Sequence, residues 1–439
     1  MTTTHEYSGQ FCLSLKRKLI KSFMGVGAMK LVSIPVGLVT SIILARVLGP
    51  EEFGRYAFIM ALIPLLAIPV SGGMPQLLTR EVAVFVQSGN WSLYKGALRA
   101  AHGWVLVFSA MILGIFWIVG VGFELVPKDG KWVLVPIAVL MLPFLGLGAV
   151  RNGAIKGLGM PAYAEIPQQF IQPIIMLACF ATAAWFGLLD TRTAIWGQVS
   201  GSIIVFFIAS WMFQRVHPAQ ANELKPDYRW ADWWRSLVPF SLLALVSTFN
   251  AQIGIIFLGV LSSDEQVSAM RIAERGGQFV ILSLTLVNMI IAPYIVRAHR
   301  ENDKIKLQKL ARKCAQGSFL LSLPVALALV LGGEELVGLA FGEDYATISY
   351  YPVVLISLSQ LLNVFFGSVG HLLSMSGNER YTLFGQVMAV LVNVLLCIVL
   401  IPNFGAVGAA IAVSISIVVW NLVLAYFVVK KLDIRPTAL

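Results

Sequence analysis

Apolar runs of about 20 residues alternate with short polar connections along this chain. At about 1.5 Å of rise per residue, such a helix matches a hydrocarbon core roughly 30 Å thick. The pattern predicts twelve spans, near residues 24–48, 56–79, 99–122, 132–150, 164–187, 193–214, 236–260, 266–296, 313–332, 348–373, 381–401 and 405–429. The expected fold is an all-α integral membrane protein. Its expected parts are an N-terminal segment 1–23, an N-lobe 24–214, a linker 215–235, a C-lobe 236–430 and a tail 431–439.

The second half repeats the first. The separation of 218 residues that pairs Gly159 with Gly377 also pairs Tyr163 with Tyr381 and Gln168 with Gln386. It pairs Leu177 with Leu395, Cys179 with Cys397, and Phe186-Gly187 with Phe404-Gly405. Upstream it aligns Pro75 with Pro293, Lys95 with Lys313 and Ala97 with Ala315. An even number of spans per repeat gives both halves the same orientation. Two parallel bundles related by an axis along the membrane normal can enclose a pathway, which is one transporter plan.

Composition agrees. The chain is 58% hydrophobic and 12% charged, with mean hydropathy +0.82; a soluble domain carries about 25% charged residues. The net charge of +10 raises the question of nucleic acid. Its distribution answers it. With the N-terminus cytoplasmic, inner loops and tails hold 24 of the 32 Lys and Arg residues. The outer loops hold five: Arg46, Arg55, Lys128, Lys131 and Arg192. That bias is a topology signal, with both termini inside and no nucleic-acid partner expected. Lys16, Arg17, Lys18 and Lys21 precede the first span, which is too long and too poor in cleavage signals for a signal peptide.

Two inner loops stand out. Residues 215–235 end in Trp230, Trp233 and Trp234, a candidate interfacial anchor. Residues 297–313 are basic, and Ile305, Leu307 and Leu310 suggest an amphipathic stretch beside the alternative of a plain solvated loop. The outer loop near 333–347 is short, so no extramembrane domain has room for an enzyme. Cys12, Cys179, Cys314 and Cys397 show no metal-ligand spacing and read as packing residues. No metal and no cofactor is expected. Neither a GxxxxGK[ST] phosphate loop nor HExxH nor GxSxG is present.

Polar groups inside the spans are the candidate chemistry, because a charge at mid-helix costs roughly 2.5–3.5 kcal/mol unless it faces protein or water. Span eight carries Arg271, Glu274, Arg275, Gln278, Thr285 and Asn288 at helical spacing. One reading is the cationic wall of a substrate cavity; the other is a self-satisfied Arg–Glu pair near the interface. Lys30 lies two turns into span one, as a cavity cation or a snorkelling interfacial residue. Arg151 follows span four, as a cavity rim or a topology signal. Glu165, Gln168, Gln169 and Gln172 in span five, Asn250 and Gln252 in span seven, Gln360, Asn363 and His371 in span ten, and Gln386 and Asn393 in span eleven are candidate lining or interhelical glue. The repeat puts Arg271 and Arg275 opposite Phe53 and Ala57, so the cations are asymmetric additions to a duplicated scaffold.

Residues 44–83 carry Leu48-Gly49-Pro50, then Phe53-Gly54 and Tyr56. Phe341-Gly342-Glu343-Asp344-Tyr345-Ala346 follows later. With the Gly159…Tyr163 and Gly377…Tyr381 turns, these elements resemble the polysaccharide (O-antigen and exopolysaccharide) flippases of bacterial inner membranes, and the resemblance covers nearly the whole chain. That family belongs to the multidrug/oligosaccharidyl-lipid/polysaccharide exporter superfamily. The resemblance implies two six-helix lobes in a V, alternating access, and an isoprenoid-diphosphate-linked oligosaccharide carried from inner to outer leaflet. It implies a cationic cavity using Lys30, Arg271 and Arg275, bilayer lipids as surroundings, and a polysaccharide polymerase and chain-length regulator as partners. A drug/cation antiporter of the same superfamily remains as an alternative, although span one lacks a carboxylate. A membrane polymerase or ligase is a further alternative that the short outer loops disfavour.

Overall fold

The computed structural model describes residues 3–118, 130–221, 223–301 and 303–438, with side chains from residue 25 onward except 292 and 293. Lys128 and the side chains of Cys12, Lys16, Arg17, Lys18, Lys21 and Pro293 lie outside the described residues.

Among the described residues the regular structure is entirely helical. Lipid offers backbone groups no hydrogen bonds, so a spanning segment must satisfy them within itself. The helices are α1 (Thr3–Ser71), α2 (Met74–Ser88), α3 (Trp91–Trp117), α4 (Val135–Val139), α5 (Leu142–Gly157) and α6 (Pro161–Ile166). A π-helical turn, Pro167–Ile171, leads into α7 (Gln172–Trp185), followed by α8 (Thr191–Val216). The second half comprises α9 (Trp230–Leu261), α10 (Asp264–Arg300), α11 (Lys304–Leu331), α12 (Gly333–Phe341), α13 (Glu343–Phe366), α14 (Val369–Met375) and α15 (Glu379–Leu432). Among the described residues, eight helices are long and apolar enough to cross a membrane, or up to ten if each bent pair counts as one span.

Two of these are far longer than one crossing. Gly25–Ser88 runs 64 residues and Glu379–Leu432 runs 54. Each folds back at a glycine with positive φ. Gly49 (φ 75°) breaks α1, and Pro50 opens the next turn, where its missing N–H costs nothing. Gly405 (φ 53°) breaks α15. At Gly405 the side chain of Gln266 reaches across from α10, and its Oε1 accepts the Ala406 N–H at 2.8 Å. An L-residue would be strained there, and a Cβ would meet that carbonyl oxygen at 2.6 Å. The paired turns of the repeat agree in backbone: Gly159 and Gly377 have φ 85° and 73°, and Gly187 and Gly405 have φ 65° and 53°.

Several expected loops are helical. Residues 50–55 already belong to the second arm of α1, and the expected span 56–79 is interrupted at Gly72-Gly73 before α2. The expected outer loop 333–347 is almost wholly helix, as α12 and the start of α13. In 297–313, α10 and α11 meet at a sharp corner, where Leu307 is buried and Ile305 is exposed. Trp233 turns into the core, while Trp230 and Trp234 stay exposed at the start of α9.

Most of the expected outer connections meet at one end of the molecule. Asp264 at the start of α10 binds Lys131 at 2.6 Å and Arg55 at 3.4 Å. Thr191 donates to the carbonyl of Glu52 at 3.2 Å. Arg46 donates to the carbonyls of Leu339 and Ala340. Tyr345 donates to the carbonyl of Ala45 at 2.9 Å. Several expected inner connections share the other end, where Lys95 donates to the carbonyl of Leu224 at 2.9 Å and Lys304 pairs with Asp433 at 3.1 Å.

Candidate functional site

A cavity of about 910 Å³ lies within the second half, between α9, α10, α13, α14 and α15. One wall is α10, which contributes Arg271, Glu274, Gln278, Ile281, Leu284 and Asn288. Those positions climb about 26 Å of helix, most of the thickness of a hydrocarbon core. Asn250, Gln360, Asn363 and Gln386 face it from the other helices. The amides of Gln360, Asn363 and Gln386 are tied to one another or to the scaffold. Asn421 donates to Asn363 at 3.0 Å, and Asn363 donates to Gln360 at 3.1 Å. Gln386 donates to Ser247 at 2.8 Å, and Ser368 donates to Asn288.

A second cavity, about 440 Å³, lies between the first half and α10. The first arm of α1 lines it with Ser33, Gly37, Thr40 and Ser41. The π-turn and α7 add Gln168, Gln169 and Gln172. A π-turn inserts an extra residue into a helix and re-aims its side chains, a device frequent at functional sites. Pro167 and Pro173 flank this one. Arg271, Gln278 and Gln252 border both cavities, so the two meet along one short stretch of α9 and α10.

That junction is cationic. Arg271 donates to Glu274 at 3.0 Å and to the carbonyl of Ala57 at 3.2 Å. Arg275, one turn on, donates to Gln278 at 3.2 Å, while its Nε is buried without a partner. Gln252 Oε1 is also buried without a partner. Two guanidinium groups therefore lie at the junction, and only that of Arg271 is paired with a carboxylate. A guanidinium fork matches phosphate and carboxylate geometry, and an unpaired buried charge is costly until an anion reaches it. Gly37 packs here: a Cβ on it would sit 3.8 Å from the Arg275 Nη1. Two groups that sequence reading did not single out for the site also line the second cavity, Tyr56 and Gln198, joined by a 2.6 Å hydrogen bond. Gln198 is an amide inside an apolar span, the signal that could have found it.

The expected polar stripe of span eight is thus divided. Arg271, Glu274, Gln278 and Asn288 face the large cavity, and Arg275 faces the second. Thr285 turns back to donate to the carbonyl of Ile281 at 3.1 Å. Glu165 pairs with Lys156 at 2.5 Å within the first half. Arg151 lies apart, in a cleft of about 20 Å³ between α5 and α8, with its guanidinium 4.2 Å from the centre of the Phe206 ring. Lys30 is half-buried and absent from the lining of both cavities, whose nearest α1 residue is Ser33, one turn on. Among the described residues, no group of three or more His, Cys, Asp or Glu side chains could hold a metal, and Cys179, Cys314 and Cys397 are free thiols.

Comparison with known proteins places this architecture. Residues 19–299 match the family model described as polysaccharide biosynthesis protein. The probable low-salt glycan biosynthesis flippase Agl15 of Haloferax volcanii is 21% identical over 418 residues, covering 89% of this chain and 79% of that protein. Among solved structures, the lipid II flippase MurJ in an inward closed conformation superposes with a TM-score of 0.72 at 15% identity, covering 92% of this chain and 87% of that one. An inward-facing multidrug resistance MATE family transporter superposes with a TM-score of 0.75 at 14% identity, covering 93% and 98%. The chain is a multi-pass membrane transporter and belongs to the polysaccharide biosynthesis protein family, within the multidrug/oligosaccharidyl-lipid/polysaccharide superfamily.

Proposed function

We propose that the protein carries an isoprenoid-diphosphate-linked oligosaccharide from the inner to the outer leaflet of a bacterial cytoplasmic membrane by alternating access, for assembly of a surface polysaccharide. The observation that carries this reading is the junction of the two cavities, where Arg271 and Arg275 lie one turn apart and only Arg271 has a carboxylate partner, Glu274. A diphosphate is the anion that this excess of guanidinium suits. The isoprenoid tail stays in lipid, so its apolar surface never meets water. Membrane potential helps: an anion leaving an inside-negative compartment gains about 2.3 kcal/mol per charge per 100 mV.

Counting each arm of the two glycine-broken helices as a crossing, together with the bent pairs, is compatible with twelve crossings in two six-helix halves. An even number puts both termini on one side, and the Lys and Arg bias supports the cytoplasmic side. The similarity to a named flippase supports the substrate class. The drug/cation antiporter reading is weaker, because cations outnumber carboxylates where the halves meet. A polysaccharide polymerase and a chain-length regulator are the partners proposed downstream.

The test is the double substitution Arg271→Ala with Arg275→Ala, assayed for lipid-linked oligosaccharide flipping in proteoliposomes. Loss of transport with normal membrane insertion is expected. Normal transport by the double variant overturns the assigned role.

A further inference from the structure

Each half is built on the same scaffold, yet the two are hollow in different places: the first borders the 440 Å³ cavity through α1, the π-turn and α7, and the second encloses the 910 Å³ one. The 218-residue offset places Leu142 and Leu145 where the second half has Gln360 and Asn363, and Ile175 where it has Asn393. Leu142 is fully buried in the main apolar core, and Leu145 packs against it. The first half is filled there; the one cleft inside it among the cavities described holds only about 20 Å³. The second half encloses about 910 Å³ at the corresponding place. Apolar residues at these positions are therefore compatible with the scaffold, whereas here the amides, bonded to each other and to Asn421, put polar groups on the cavity wall.

The chemistry of the lining narrows that requirement. Among the described lining residues the ionisable ones are Arg271, Glu274 and His371. Arg271 and Glu274 neutralise each other at one extremity. The long middle mixes amides and hydroxyls, which donate and accept hydrogen bonds equally well, with aliphatic side chains such as Ile281, Leu284 and Val413. Gln252 Oε1, on this wall, is buried without a partner. Trp420 supplies an aromatic face, seated between two glycines: a Cβ on Gly370 or Gly385 would come within 3.5 Å of its ring. Neutral donors and acceptors around a flat apolar ring suit a polyhydroxylated group with one apolar face. A carboxylate in the same place would be buried without a cation, a costly arrangement.

Resting on the flippase reading, we propose that this cavity is the saccharide subsite, that it lies wholly in the second half, and that it selects an uncharged oligosaccharide over one bearing a uronic acid. The diphosphate sits at Arg271 and Arg275, and the sugars extend along α10 past Gln278 towards Asn288 and His371. Gln360 and Asn363 are specificity-determining residues for the sugar.

Equilibrium binding to the purified full-length protein in lipid nanodiscs tests this, with three synthetic ligands: a short isoprenyl diphosphate, the same carrier with a neutral trisaccharide, and the same with one uronic acid in the trisaccharide. The neutral glycolipid should bind the parent protein at least about tenfold more tightly than the bare carrier, the gain expected from two or three net hydrogen bonds. The double variant Gln360→Leu with Asn363→Leu, which transplants the first-half residues, should lose that gain and bind the bare carrier as the parent does. Asn250→Leu, which disturbs no hydrogen bond of the fold, should reduce the gain independently, so the result does not depend on how well the double variant folds. The uronic acid ligand should bind the parent no better than the bare carrier. Equal binding of carrier and neutral glycolipid, an undiminished gain in both variants, or equal binding of the two glycolipids each overturns the subsite while leaving the flippase reading standing. Failure of the bare carrier and both glycolipids to bind at all overturns the flippase reading and the subsite with it.

Discussion

The hydroxyl of Tyr345 donates to the backbone carbonyl of Ala45 at 2.9 Å, across 300 residues of chain. Tyr345 belongs to α13, and Ala45 lies just before the break in α1. The Tyr345 ring also meets Phe53 edge-on, with centroids 6.3 Å apart. The two short motifs that carry the family resemblance, around Gly49 and around Tyr345, therefore pack on each other. They form part of the clasp between the halves at the Asp264 end.

Tyr345→Phe keeps the ring contacts and removes the bridging hydrogen bond. It should weaken this clasp by about 1 kcal/mol, the typical net worth of one such bond. The measurement is thiol labelling from the Asp264 side at Gln278→Cys, with the native cysteines replaced. Labelling should be faster with Tyr345→Phe than without it. An unchanged rate would mean that the bond does not help close this end.

Gly54 sits against α10 so closely that a Cβ would lie 1.7 Å from the carbonyl oxygen of Asp264. No side-chain adjustment relieves a clash with backbone. Gly54→Ala should therefore force α1 and α10 apart and abolish the Lys131–Asp264 pair, which measures 2.6 Å. The expected outcome is a shift of distances between spin labels on α1 and α10 towards separation at this end, together with loss of transport. A variant that transports normally with unchanged distances would show that the approach is not needed.

Arg151 is held by Phe206 in its own cleft. Substitution to Gln should leave bare diphosphate binding within about twofold of the parent value, since the Arg151 guanidinium stacks on Phe206 and lines neither of the two larger cavities. It should lower thermal stability, because the aromatic face loses its cation. A large loss of diphosphate binding would place Arg151 in the substrate path instead.

Glu301 marks the corner between α10 and α11. Arg297 and then Lys306 donate to it at 2.7 and 2.9 Å, and they hold its carboxyl at about 2, below its ordinary 4.5. A depressed carboxylate stabilises the folded form above its unfolded pKa. That contribution, small because the group is fully exposed, is lost as pH falls from about 4.5 towards 2. Carbon NMR of labelled glutamate should show a midpoint near 2 that rises with Lys306→Ala. A midpoint of 4.5 in the parent would remove the assigned pairing.

The amino-acid sequence by itself determined that this is an all-helical membrane protein, built twice on one plan, with polar groups in a row along span eight and further amides in spans five, seven, ten and eleven. Those properties follow from local quantities: the length of apolar runs, the asymmetry of Lys and Arg, and the need of backbone in lipid to bond within itself. The glycine turns at Gly159, Gly187, Gly377 and Gly405 were legible for the same reason, since a left-handed turn selects its residue locally. Much of the candidate site was legible as well, because an unpaired polar side chain in an apolar span is costly anywhere but a cavity. Only the tertiary structure decided which cavity. Gln278 borders both cavities, Arg275 faces one of them, Arg151 was drawn off to an aromatic ring, and Lys30 stayed short of both linings. The hollow in the second half was decided there too. A Gln or Asn in a span reads alike whether it binds a neighbouring helix or faces open volume, and volume is left by how five separated helices pack.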